Sequence, residues 1–128
     1  MTAKEYLIEY LSSEGYRYEE NPNSGSIAFK FEGVRYVFIN NSGSQLLQLV
    51  IFFYDVNEDN RMAVLEACNR VNSEKAMVKF TCDEDSIWAN WEDIVPEEGY
   101  DLSRIEMALN MLRGAVGNVF DILNGDAE

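Results

Sequence analysis

Carboxylates are the commonest groups in this chain that could do chemistry, and they gather in two places. Asp83, Glu84 and Asp85 form one cluster; Glu92, Asp93, Glu97, Glu98 and Asp101 form the other. The first suggests a cation site. An EF-hand loop, however, alternates its acids over about twelve residues, with a central Gly and a distant Glu. Only the acids are present, so the reading is a hairpin tip bearing solvated charge. The second cluster could supply the carboxylate pair of a glycosidase, which needs a cleft and one raised pKa. Acids beside Pro96 and Gly99 read as surface instead. The chain has no histidine, which removes the commonest general base, the commonest metal ligand and the usual pH switch. Asn41-Ser42-Gly43-Ser44 lacks the second Gly and the Lys of a phosphate loop. Cys68 and Cys82 lack zinc spacing and lie among apolar neighbours, so they read as buried free thiols. The expectation is a protein that is not an enzyme, with no metal site and no cofactor.

Charge narrows the partners. A net charge of −13 opposes binding to nucleic-acid phosphates or to anionic membranes, because both require positive surface. The acidic surface either serves solvation or meets a basic partner. The start, Met-Thr-Ala-Lys-Glu-Tyr, has no basic stretch leading into an apolar run, so a cytoplasmic protein is expected. A length of 128 residues with 47% hydrophobic content predicts one domain over residues 1–128 with a proper core.

The stretch that must position everything else is Gln45 to Tyr54, Gln-Leu-Leu-Gln-Leu-Val-Ile-Phe-Phe-Tyr. It is too short to span a bilayer, is rich in branched and aromatic residues, and is bounded by turn residues, which reads as a strand. Side chains alternate between strand faces. Leu47, Leu49, Ile51 and Phe53 share one face; Leu46, Gln48, Val50, Phe52 and Tyr54 share the other. Both are largely apolar, so this strand wants cover on both sides.

Three helices frame it. Thr2 and Glu5 make a capping box, with Ala3, Tyr6, Leu7, Tyr10 and Leu11 as the stripe and Gly15 as the stop. Asn57 reads as the cap of a middle helix, with Glu58 and Asp59 in its first turn. Its stripe is Val64, Leu65, Cys68 and Val71, with Met62 a further candidate, and Asn72 is a candidate left-handed cap. Asp101 and Ser103 compete to cap a long last helix with stripe Ile105, Leu109, Leu112, Val116, Val119 and Leu123. Gly114 and Gly117 inside it cost about 1 kcal/mol each relative to Ala. That suits a place where another backbone comes close, either within this chain or from a partner.

Two hairpins complete the pattern, and residues 18–25 read as a loop. Around Glu32-Gly33, Phe31 is expected to face Val34, Phe29 to face Tyr36 and Ile27 to face Phe38. Lys30 then faces Arg35, an unfavourable pair of like charges, read either as a solvated face or as a small basic spot that receives an acidic group. Around residues 83–86, Cys82 is expected to face Ile87, Phe80 to face Ala89 and Val78 to face Trp91. Trp91 thus belongs to the core. Trp88 falls on the mixed face with Lys79, Asn90 and Glu92, where it is either a partner anchor or is covered by the middle helix.

The order of elements, together with the run Leu65-Glu-Ala-Cys-Asn-Arg-Val-Asn72, the strand Ala76-Met-Val-Lys-Phe80, the acidic tip and the amphipathic helix after Tyr100, resembles the YbjN-like family of bacterial sensory-transduction regulators. Their fold is similar to that of type III secretion chaperones. The resemblance implies a small acidic α+β protein without enzymatic activity. Chaperones of this fold are commonly homodimers that hold an extended segment of another protein against apolar surface. It gives Asn69 and Asn72 structural roles, capping the helix and fixing the turn into the next strand.

The expected fold is therefore α+β in the order α-β-β-β-α-β-β-α. Five strands form a mostly antiparallel sheet, ordered 1-2-3-5-4 by the resemblance more than by the pattern. The first and last helices cover one face. The second face presents Val37, Ile39, Val50, Phe52, Tyr54 and Trp88, with the middle helix available to cover part of it. A surplus apolar face of this kind marks an interaction site. The expected function is a protein-binding module, chaperone-like or regulatory, for an unidentified protein or peptide, acting as a homodimer. The alternative is a small-ligand sensor with a pocket between sheet and helix.

Overall fold

The computed structural model describes residues 1–41, 45–75, 77–82 and 86–125, and only the backbone of residues 53–55. The acidic tip Asp83–Asp85, the turn residues Ser42–Ser44 and Ala76 lie outside the described residues.

Local chemistry accounts for the first helix, α1 (Ala3–Glu14). The Thr2 N–H donates to Glu5 Oε1 at 2.8 Å, and the Glu5 N–H donates to Thr2 Oγ1 at 3.2 Å. The bonds from Thr2 hold the Glu5 carboxyl below its usual range. Gly15, at φ 76°, closes the other end by donating to Leu11 and Ser12 carbonyls. The buried stripe is the expected one: Ala3, Tyr6, Leu7, Tyr10 and Leu11.

Residues 18–25 correct the expectation of a loop. Tyr18–Glu20 forms a short edge strand, β1, against β2 (Ile27–Phe31). All three of its residues are exposed, so no apolar alternation announced it. A local turn folds it back. Asn21 Oδ1 accepts from the Asn23 and Ser24 N–H groups, Gly25 N–H donates to the Asn21 carbonyl, and Asn21 N–H donates to the Ser26 carbonyl.

The β2–β3 hairpin, with β3 at Val34–Phe38, has the expected register. Glu32 and Gly33 both take positive φ, 52° and 79°, as a two-residue turn with the right twist requires. The organising strand is β4 (Leu46–Asp55). The second hairpin joins β5 (Val78–Cys82) and β6 (Ser86–Ile94), again in the expected register. The six strands run β1-β2-β3-β4-β6-β5, and every neighbouring pair is antiparallel. Apart from β1 this is the expected order, with the middle helix crossing over one strand.

The middle helix, α2 (Arg61–Glu74), begins later than expected. Asn57 instead caps the turn before it, its Oδ1 accepting from the Asp59 and Asn60 N–H groups. Val64, Ala67, Cys68 and Val71 form the buried stripe, while Leu65 and Met62 are exposed. At 100° per residue, Ala67 lies about 40° from Val71 around the helix, whereas Leu65 lies about 100° from Val64 on the other side. The helix also runs past Asn72, so Asn72 is not a left-handed cap; Lys75 ends the helix in an extended conformation.

The last helix, α3 (Ser103–Leu123), buries Ile105, Ala108, Leu109, Leu112, Ala115 and Val119. Neither Asp101 nor Ser103 caps it: Leu102 holds the cap position with no side-chain cap bond, while one carboxylate oxygen of Asp101 accepts from both the N–H and the hydroxyl of Ser103, which lowers the pKa of Asp101. Gly114 and Gly117 meet no described atom within 4 Å of a Cβ position. Among the described residues no close backbone explains them.

All three helices pack on one sheet face. The stripes of α1, α2 and α3 join Ile27, Phe29, Tyr36, Phe38, Leu49, Phe80 and Trp91 in one hydrophobic cluster. Tyr36 ties this layer together by donating its hydroxyl to the Leu109 carbonyl at 2.7 Å. The middle helix therefore covers none of the second face, contrary to one reading of Trp88. The expected middle-helix stripe was correct in kind; which sheet face it seeks is decided by where β5, its neighbour in the chain, joins the sheet.

Burial also governs Cys68. Its thiol is pushed from the ordinary 9.0 up to about 12, chiefly by burial and further by the Cys82 side chain hydrogen-bonded to it. Tyr36 is likewise raised by burial, from 10.0 to about 12. Between pH 9 and 12 the folded chain thus keeps protons that the unfolded chain has released, so stability falls as pH rises through this window. Melting curves from pH 8 to 12 should show that fall, and Cys68→Ala should make it shallower. An equally steep fall in the variant would remove Cys68 from the account.

Candidate partner-binding face

The helix-free face is built from alternate residues of the sheet. Along β4 it presents Leu46, Gln48, Val50 and Phe52; their partners on β6 are Ile94, Glu92, Asn90 and Trp88. Val37 stands beside Val50 on the other side. Apolar groups therefore lie at both ends of the β4–β6 ladder with polar ones between them.

Phe52 and Trp88 form the first apolar end. Their rings meet edge to face, with centroids 4.7 Å apart and planes at 73°, a favourable arrangement of the two quadrupoles. Phe52 remains 43% exposed, and Trp88 Nε1 donates to Ser86 Oγ at 3.1 Å. Val50 is buried by its neighbours on this face, while Val37 and Ile39 are half-buried. Tyr54 departs from the expected set. A register shift between Phe52 and Tyr54 pairs the Tyr54 main chain with Ile87. The side chain of Tyr54 lies outside the described residues.

Two features of this face were missed from the sequence. One is the second apolar end, where Ile94 is 80% exposed beside Leu46. The other is a relay of side-chain hydrogen bonds through the middle. Asn41 Nδ2 donates to Gln48 Oε1, Gln48 Nε2 to Asn90 Oδ1, and Asn90 Nδ2 to Thr81 Oγ1. The face is thus more polar at its centre than alternation alone suggested. The signal was available: Gln48 and Asn90 occupy same-face positions on strands that become neighbours.

Within the second acidic cluster, read from sequence as surface, Asp93 has a structural role. Asp93 Oδ2 accepts from the Tyr100 hydroxyl at 2.8 Å and from Arg104 Nε at 2.9 Å. This anchors the start of α3 to β6. Burial, reinforced by Asp93, raises the pKa of Tyr100. Among the described residues no group of three or more His, Cys, Asp or Glu side chains could hold a metal ion, and no helix is long and apolar enough to cross a membrane. A groove of about 380 Å3 between α3 and the β5 end of the sheet, lined by Lys75, Val78, Met111, Gly114, Ala115 and Asn118, is the structural counterpart of the sensor alternative.

Asn69 and Asn72 part company. Asn72 reaches from α2 to the edge strand: its Oδ1 accepts from the Phe80 N–H at 2.7 Å, and its Nδ2 donates to the Phe80 carbonyl at 3.2 Å. One amide thus supplies both bonds that a further strand would make. Asn69 is exposed, and the Ser73 hydroxyl donates to its main-chain carbonyl. It does not cap the helix, which continues to Glu74.

Three helices on one face of an antiparallel sheet, with no described helix on the other, define an α+β fold of the type III secretion chaperone-like kind. The chain belongs to the YbjN family, whose model, described as "Putative bacterial sensory transduction regulator", matches residues 4–121. The crystal structure of YbjN from E. coli is similar, with a TM-score of 0.71 at 14% identity over 96% of this chain and 90% of that one. An uncharacterised protein from Methanothermobacter thermautotrophicus has a TM-score of 0.70 at 13% identity, over 96% and 97% of the two chains. A chain in the HopA1–SchA chaperone–effector complex has a TM-score of 0.63 at 13% identity, over 89% and 90%. At these identities the likeness concerns the fold. No curated protein matches the sequence.

Proposed function

We propose that this chain is a single YbjN-like domain, 1–128, acting as a non-enzymatic, cytoplasmic protein-binding module of the chaperone-like or regulatory kind. It engages a protein or peptide segment through the helix-free sheet face and works as a homodimer. The observation that carries this reading is the pairing of exposed Phe52 with half-buried Trp88 on a face that no described helix covers. Aromatic anchors of this type dominate interface energetics. The fold of a chaperone chain seen with an effector supports a protein partner. The open Cβ positions of Gly114 and Gly117 are consistent with a partner backbone approaching α3. The sensor alternative has less support, because its groove offers one cation and one side-chain amide.

Trp91 is fully buried, so changes in tryptophan emission on association report Trp88. The dimer should show blue-shifted emission that moves to the red on dilution, in step with its sedimentation. Phe52→Ser should weaken partner association by about 2 kcal/mol or more, roughly thirty-fold in Kd. A chain that stays monomeric at millimolar concentration, with Trp88 emission indifferent to apolar peptides, would sink the reading. Stabilisation in a thermal-shift screen by a metabolite alone would favour the sensor.

A further inference from the structure

The chain has 10 cationic residues against 23 acidic ones, yet three cations stand in one row without carboxylate partners. Lys30 and Arg35 are directly opposed across the β2–β3 hairpin. Arg17 precedes Tyr18, whose partner is Phe29, so the same antiparallel count sets Arg17 beside Lys30. Neighbouring strands lie about 4.8 Å apart, so the three side chains rise from points spanning about 10 Å. Lys4, Arg70 and Arg104 each hold a carboxylate. Arg17, Lys30 and Arg35 form no ion pair among the described residues and are all exposed. Like charges placed opposite one another across strands are destabilising. A fold rich in carboxylates that leaves this row uncompensated has a place for an anion from outside.

The row also borders a hollow of about 450 Å3, with Tyr18, Ala28 and Phe29 in its wall and Glu19 in its lining. That volume lies in the range of small-molecule sites, about 300–1,000 Å3. We propose that this hollow binds a small phosphomonoester, its dianion held by Arg17, Lys30 and Arg35 and its carbon skeleton against Ala28. Arginine forks match phosphate oxygens in pairs, and lysine adds a point charge. Glu19 accepts a hydrogen bond from a ligand hydroxyl and disfavours a second phosphate. A long polyanion is repelled by the rest of so acidic a surface; a small one lies within reach of the three cations and is screened from more distant charge over about 8 Å at physiological salt.

The test is a titration of the full chain with glycerol 3-phosphate, inorganic phosphate and glycerol at constant ionic strength, followed by amide NMR. Glycerol 3-phosphate should give saturable shifts confined to residues 17–19, 28–30 and 35, inorganic phosphate weaker shifts at the same places, and glycerol none. The double variant Lys30→Gln with Arg35→Gln should bind at least tenfold more weakly while melting no lower than the parent without ligand, since repulsion is relieved. Phe52→Ser should leave the titration unchanged, which separates this site from the Phe52–Trp88 end of the helix-free face. Shifts scattered over the surface, or reproduced by chloride, would overturn the proposal. So would undiminished binding by the double variant. Shifts with inorganic phosphate alone would show an adventitious ion only and overturn it. A response to a glutamate-rich peptide without one to glycerol 3-phosphate would make the row a protein contact and equally end the proposal.

Discussion

Trp91→Ala is expected to cost about 3–5 kcal/mol of folding stability, the range for deleting a large buried aromatic, and to lower Tm by more than about 10 °C. Trp91 is completely buried, and it stands on β6 between Leu49 of β4 and Val78 of β5. The sheet cannot close over the void without moving three strands. Its Nε1 has no hydrogen-bond partner among the described residues, so Trp91→Phe removes an unsatisfied donor together with some volume. That variant should cost only about 1 kcal/mol, because part of the lost packing is offset. Trp88→Ala should change stability by less than about 1 kcal/mol while weakening association strongly. Denaturant titrations followed by circular dichroism check all three. A Trp88→Ala variant as unstable as Trp91→Ala would mean that the helix-free face is covered within the monomer.

Asn72→Ala should cost about 2 kcal/mol, more than most exposed helix substitutions. It breaks two hydrogen bonds to the main chain of one residue, each worth about 1 kcal/mol net. The Phe80 amide should then exchange with solvent faster than its neighbours in β5. Because β5 is a sheet edge, losing the clasp weakens the cover over that edge, so the variant should also aggregate more readily as concentration rises. Unchanged exchange at Phe80 would show that the clasp is incidental. Asn69→Ala, which removes an exposed side chain with no hydrogen bond of its own among the described residues, is the matched control.

Both predictions rest on how far local pattern reaches. The two hairpin registers were legible because turn length and alternation leave one solution: Phe29 opposite Tyr36, and Val78 opposite Trp91. The capping box of Thr2 and the burial of Tyr6, Leu7 and Tyr10 were legible for the same reason, since they depend on neighbours within one helical turn. The strand β1 was not, because Tyr18-Glu19-Glu20 has no apolar alternation and is held by backbone pairing and the Lys4–Glu20 ion pair. Leu65 looked buried and is not, because a helix stripe is only as wide as the surface it meets. The candidate site was half legible. Val37, Ile39, Val50, Phe52 and Trp88 share the expected face, whereas Tyr54 leaves the register at a bulge that no turn residue signals.

By itself the sequence determined which residues of each element face the same way, since side-chain period is a property of the local backbone. It also determined the excess of negative charge. Only the tertiary structure decided that all three helices choose the same sheet face, that Asn72 closes the β5 edge, and that Arg17 joins Lys30 and Arg35 in one row. The reason is physical. Periodicity says that an element has two faces, while burial is settled by what arrives against each of them, and those arrivals come from segments far away in the chain.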